Sequence, residues 1–267
     1  PDFEAKLNAG QRSPVQLLMD GSDAVTGRGG LARFQQRTAE FNRQVAPAAS
    51  TFGSSIIVQD QAWYNPSLKS AYSMVPGLIP IVLILPAMAI ALAITREKEL
   101  GSFETLITTP IRPIEYLLGK LIPYIAFGLI SAIFATLVAI LWFQVPLHGP
   151  VPDLILMTIL YLFAELGESL FISGLLVSQG TAMRIILLIF FVPSFFLTGV
   201  TLPVDSRSGP GQLVSFALPA TFFVQITRGV FLKEMGILQL ANQSLYLAAL
   251  GTVSFLLGLF TFRKQVD

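Results

Sequence analysis

Residues Tyr72 to Thr95 read YSMVPGLIPIVLILPAMAIALAIT, 24 consecutive residues without a charged side chain. A helix needs about 20 residues to cross a hydrocarbon core roughly 30 Å thick. Inside lipid a segment must satisfy its own backbone polar groups, so a stretch of this length and composition predicts a membrane-spanning helix over 72–95. Outward from it the pattern recurs. Residues 121–143 hold no charge over 23 positions, and 154–177, 185–204 and 241–262 are similarly apolar. These are five predicted spans. Pro193 and Gly199 fall within the fourth and predict a kink there.

The totals agree with this reading. Of 267 residues, 53% are hydrophobic and 12% charged, where a soluble domain carries about 25% charged residues. Net charge is +1, so nothing points to nucleic acid. The absence of cysteine excludes a disulfide framework, a thiolate metal site and a cysteine nucleophile. His148, the single histidine, lies in a Pro/Gly-rich loop and is given no role. No metal cluster, Ser-His-Asp grouping or Gly-rich cofactor motif is visible.

Residues 1–71 are mixed in character and form a separate small α/β unit. Val15 to Met19 reads as a strand closed by Asp20-Gly21-Ser22-Asp23, residues 29–46 as an amphipathic helix, and Ile56 to Val58 with Trp63 and Tyr64 as a second strand. The fold class is thus a membrane all-α bundle over 72–267 with an α/β domain over 1–71. Between the fourth and fifth spans, residues 205–240 are apolar in part but contain Pro219, Gln225 and Arg228. They read as a re-entrant or interfacial helical hairpin.

Short cytoplasmic loops are rich in Lys and Arg. With five spans, one side receives Arg96, Lys98, Arg112, Lys120, Arg184, Arg263 and Lys264, and the short loops of the other only Arg207, Arg228 and Lys233. This places the C-terminus in the cytoplasm and residues 1–71 outside. The sequence starts at Pro1 without an initiator Met or a signal-peptide pattern. Delivery of an outer domain then calls for an upstream transmembrane helix, making six in the full protein.

The segment 96–120, REKELGSFETLITTPIRPIEYLLGK, carries the most information. Gly101 interrupts a charged extension of the first span, Ser102 can cap a short helix bearing Phe103, Leu106 and Ile107, and Thr109-Pro110 ends it. Pro113 can open the next helix, which leads into the second span. On periodicity alone the short helix either docks on a partner or lies on lipid. The matching residues are Arg96, Glu97, Lys98, Glu99, Gly101, Glu104, Leu106, Thr109, Pro110, Glu115, Gly119 and Lys120, with Trp63 to Pro66, Val75-Pro76-Gly77 and Val15 to Asp23 in addition. In these the chain resembles the permease subunits of type-2 ABC transporters, the bacterial exporter class with an outer domain after its first helix.

The resemblance implies an inner-membrane exporter built from two permeases, alike or merely similar, and two nucleotide-binding ATPase subunits. It also implies that Arg96, Glu97, Lys98, Glu99, Gly101, Phe103, Glu104, Leu106, Thr109 and Pro110 couple the chain to the ATPase. No G-x-x-x-x-G-K-[ST] loop is present, and Gly119-Lys120 lacks both the first glycine and a following Ser or Thr. ATP and Mg would therefore sit on the partner, and this chain itself calls for no cofactor.

Glu165 and Glu168 lie mid-span in the third helix, where each ionised carboxylate costs on the order of 2.5–3.5 kcal/mol by insertion scales. At i, i+3 they share a face. They either line a substrate path, attracting a cationic or amphipathic molecule or carrying a proton, or form a structural pair bonded to neighbouring helices or to Arg184 or Arg228. The family resemblance does not supply these carboxylates. Phe195 and Phe196 are further candidates for an apolar path, with packing or lipid contact as the alternative. Other readings are a proton-coupled secondary transporter using Glu165 and Glu168, and an envelope scaffold that transports nothing.

Overall fold

A computed structural model describes residues 13–49, 56–102, 111–200 and 209–266. The chain divides into two units, Pro1–Ser73 and Met74–Asp267.

In the first unit, strands β1 (Ser13–Asp20) and β2 (Ile56–Trp63) pair in parallel, with helix α1 (Ala24–Ala49) between them in sequence. The turn cluster after β1 is built as its residues suggest. The Asp20 carboxylate accepts the Ser22 N–H (2.9 Å), and Asp23 opens α1 by accepting the Thr26 N–H (3.2 Å) and hydroxyl (2.8 Å). Gly21 donates its N–H to the Trp63 carbonyl, and a Cβ there would lie 2.6 Å from that oxygen. Only glycine fits that approach. Asn65 closes the turn after β2 by exchanging hydrogen bonds with the Lys69 backbone (both 3.0 Å).

Among the described residues five helices are long and apolar enough to span a membrane. The first span, Ser70–Glu99, is made of α2 (Ser70–Val82) and α3 (Ile84–Glu99). At the break the Leu83 N–H is shared between the Ile79 and Pro80 carbonyls (3.2 and 3.1 Å), beside Pro80 and Pro86, which have no N–H to give. The second span is α4 (Pro113–Leu141) and the third α5 (Val151–Leu175). The fourth, Gln179–Leu197, joins α6 (Gln179–Ile186), a π turn (Leu187–Phe191) and α7 (Val192–Leu197). The fifth lies within α10 (Ala241–Val266).

One expectation holds and two need correction. As expected from Pro113, the second helix starts there, eight residues before the apolar block, with Pro113 at N1 and the Arg112 N–H accepted by the Glu115 carboxylate (3.1 Å). Among the described residues of 96–120, 96–99 end α3 and 113–120 begin α4. In the fourth span the irregularity is a widened turn just before Pro193, which absorbs the ring and its missing N–H. Gly199 lies beyond the helix end at Leu197, with φ +92°.

Between the fourth and fifth spans, α8 (Gly209–Ala217) and α9 (Pro219–Lys233) meet at 79° about Leu218, so they do not make one straight helix. Helix α9 is buried along most of its length, and it packs on α5 and α10.

Helix α5 occupies the middle of the unit, touching α3, α4, α9 and α10. Small residues permit the approach of α5 to α10, as expected where lipid offers helices no hydrophobic drive to associate. A Cβ at Gly251 would lie 2.5 Å from the Phe163 ring, and one at Gly174 would lie 2.9 Å from Thr261. A buried cluster of Ile81, Ile84, Ala91, Ile186, Phe190, Val200, Leu218 and Val224 joins the first and fourth spans to the hairpin. By contrast α4 exposes Ile122, Phe127, Ile130, Phe134 and Val138, an apolar face suited to lipid.

Candidate functional site

The end of the first span gathers the charged motif that opens the 96–120 segment. Its last turn presents three consecutive charges to four different helices. Glu97 accepts the Tyr116 hydroxyl of α4 (2.5 Å) and forms an ion pair with Lys120 one turn further on. Lys98 points the other way. Its ammonium donates to the carbonyls of Ser173 (2.9 Å), Gly174 (2.6 Å) and Leu176 (3.4 Å), and sits 5.1 Å from the centre of the Phe262 ring. Glu99 accepts the N–H of Gln179 (3.1 Å) at the start of α6.

This arrangement follows from helix chemistry. The last carbonyls of α5 lack intrahelical partners and carry partial negative charge, which a cation offsets. The first N–H groups of α6 carry partial positive charge, which a carboxylate offsets. Adjacent side chains of opposite sign thus cap the end of one helix and the start of the next, on either side of the turn 176–178. Hydrogen bonds to a charged group contribute about 1.5–3 kcal/mol each. Arg96 is exposed. Past this turn the chain leaves the helix through Gly101, whose φ of +73° suits only glycine without strain.

Close by, Glu97, Ile111, Glu115, Tyr116, Gly119 and Lys120 line an open cavity of about 510 Å³. The remaining coupling candidates, Phe103, Glu104, Leu106, Thr109 and Pro110, lie outside the described residues. The structure therefore brings Glu97, Lys98, Glu99 and Gly101 together. It adds Tyr116, Phe262 and the Ser173-Gly174 carbonyls, which were not singled out from the sequence. Tyr116 and Lys120 stand at i, i+4, a spacing that marks one helix face, but their partner Glu97 is on another helix.

The second candidate is in α5. Glu165 is fully buried, and neither of its carboxylate oxygens accepts a hydrogen bond among the described residues. Glu168, one turn on, is partly buried. Tyr161, one turn before Glu165 on the same face, donates its hydroxyl to the Pro80 carbonyl at the break in the first span (2.9 Å) and stacks on Phe223 of α9 (4.3 Å between centres). The pairing of Glu165 with Arg184 or Arg228 does not form. Arg184 donates to the Thr181 hydroxyl (3.5 Å), and Arg228 to the Val200 carbonyl (3.4 Å).

Phe195 and Phe196 form an edge-to-face pair at 5.3 Å but face different surroundings. Phe195 packs on the buried Ile81–Val224 cluster, while Phe196 is 53% exposed. An apolar cavity of about 230 Å³ between α4 and α5, lined by residues such as Leu129, Leu137, Leu154 and Thr158, includes none of the four path candidates.

With this geometry in view, a family profile described as ABC-2 family transporter protein matches residues 1–260. The chain is similar to the probable multidrug ABC transporter permease YbhS of Escherichia coli (strain K12), 32% identical over 240 residues that cover 86% of this chain and 62% of that protein. It is also similar to the inner membrane transport permease YhhJ of the same strain, 26% identical over 276 aligned positions covering 100% of this chain and 72% of that one. A more distant similarity is to ABC transporter G family member 20 of Dictyostelium discoideum, 27% identical over 176 residues, 65% of this chain and 24% of that protein. The chain thus spans less than two thirds of the length of YbhS.

Proposed function

This chain belongs to the ABC-2 family of transporter proteins, a multi-pass membrane permease without an ATP-binding loop, and from that premise we propose that it is the membrane subunit of an ATP-driven exporter. A separate nucleotide-binding subunit supplies the energy, and a second permease, alike or similar, completes the path. The cargo is hydrophobic or amphipathic, drug-like or lipid-like, and leaves across a bacterial inner membrane. Residues 1–71 and the hairpin 205–240 lie on the outer side, and the 96–112 segment and the C-terminus face the cytoplasm.

The observation that carries this reading is the Arg96 to Lys120 segment, in which the motif's charges grip helix ends and the chain then exits at Gly101. Closure of the ATPases on ATP moves the segment around Ser102 to Thr108. Glu97, Lys98 and Glu99 pass that displacement to the spans, and cargo crosses between permeases. Glu165, Glu168, Phe195 and Phe196 belong to the cargo path in this reading. A buried carboxylate that accepts no hydrogen bond among the described residues favours a cationic group as the feature recognised, since a charge at membrane depth requires a compensating one.

The test is transport into inverted vesicles holding the full-length permease and its co-purified ATPase. ATP-dependent accumulation of a cationic amphiphilic dye, with substrate-stimulated hydrolysis, supports the assignment. Accumulation driven by an imposed pH gradient without ATP would instead identify a proton-coupled transporter. No accumulation under either drive, with an assembled envelope complex, would identify a scaffold.

A further inference from the structure

Lys98 and Glu99 point to a role that their place in a charged motif does not imply. In the coupling reading they meet the ATPase, yet their charged ends hold main-chain groups of this chain, Lys98 from a half-buried position and Glu99 from an exposed one. Lys98 reaches the carbonyls of Ser173, Gly174 and Leu176 at 2.9, 2.6 and 3.4 Å, and Glu99 accepts the Gln179 N–H at 3.1 Å. These two contacts bracket the turn 176–178 between the third and fourth spans. Lys98 also lies over Phe262 of the fifth span, and Phe262 is itself nearly fully buried. The rings of Tyr116 and Phe262 lie 5.9 Å apart, which closes the circle through the second span.

We infer that Lys98 and Glu99 are positioning residues that lock the turn between the third and fourth spans to the last turn of the first span, so that displacement delivered at Gly101 reaches both spans through this clamp. The inference rests on the reading that the 96–112 segment is driven by an ATPase. The chemistry supports it because the clamp joins rigid elements by their ends. A helix held at its last carbonyls or first N–H groups follows the holder as a body, whereas contacts along its side permit sliding. The third span carries Glu165 and Glu168, so the clamp also links the driven end of the first span to the buried carboxylates. Glu97 acts in parallel on the second span through Tyr116 and Lys120.

These 267 residues hold no cysteine, so once any cysteine elsewhere in the full-length permease or its ATPase is replaced by serine, a single cysteine can carry a spin label at Val177, in the turn, or at Leu100, beside the delivery point, both well exposed. The full-length permease is studied in lipid nanodiscs with its co-purified ATPase, with and without a non-hydrolysable ATP analogue and Mg. In the parent both labels respond to nucleotide. In Lys98→Met, which keeps the stem but removes the donors, the Leu100 label still responds, the Val177 response is lost and dye efflux falls about tenfold. Lys98→Arg restores the Val177 response. Glu99→Leu repeats the loss and Glu99→Gln, which keeps an acceptor, does not; this pair carries the test if Lys98→Met fails to assemble. An undiminished Val177 response in Lys98→Met or in Glu99→Leu overturns the clamp. Absence of response at both labels in the parent overturns the ATPase-driven reading itself, and the clamp with it.

Discussion

The side chain that departs furthest from its surroundings is Glu165, a carboxylate with no exposed surface and no hydrogen-bond donor among the described residues. A group of that kind costs free energy unless it is paired, and its presence despite that cost argues for a role. Glu165→Gln is accordingly expected to hold or raise the thermal unfolding midpoint while lowering efflux of a cationic amphiphile about tenfold relative to a neutral one. Parallel efflux assays with the two dyes decide it; equal losses for both would assign Glu165 to structure. The sequence already marked this residue, since a charge inside an uncharged run is visible without coordinates. The inward grip of Lys98 was not visible, because its partners are main-chain carbonyls about 75 positions away and main-chain groups have no sequence signature. Tyr161 escaped notice for a related reason. Its hydroxyl donates to the Pro80 carbonyl, which also takes the Leu83 N–H at the break between α2 and α3, and a main-chain acceptor leaves no mark in the sequence.

At the scale of elements, uncharged length located the five spans, and their ends came from chemistry that hydropathy does not weigh. Pro113 and the Arg112–Glu115 contact start α4 early, and Pro193 turns part of the fourth span into a π turn. Pro193→Ala should return that turn to regular α-helix. Phe190, now 2% exposed, would rotate, and a cysteine at 190 should gain reactivity toward a membrane-permeant thiol reagent; unchanged reactivity would mean that packing, not proline, sets the turn. The α5–α10 contact depends on absent side chains. Gly251→Val would press into the Phe163 ring and is expected to cost about 1–3 kcal/mol, read as a lowered unfolding midpoint in detergent. An unaltered midpoint would show that the two helices can separate freely. That Gly251 matters could not be read from sequence, because glycine in a span is common and only the partner helix reveals the close approach.

For the whole molecule, the first span is the element on which the others converge at one end. Its final charges touch the second, third, fourth and fifth spans within two residues of one another. The Arg-Glu-Lys-Glu run had suggested a surface that meets a partner, and the structure uses three of its four charges to hold the bundle together. In the proposed function, partner contact then falls to the residues beyond Gly101, and the motif itself serves as the transmission. The most direct measurement is co-purification of the full-length permease with its ATPase from mild detergent, repeated for Gly101→Trp and Glu104→Arg. The account predicts that the parent retains the ATPase, that both variants lose it, and that Lys98→Met retains it while its transport falls about tenfold. Failure of the parent to retain any ATPase, with dye transport persisting without ATP, would contradict it.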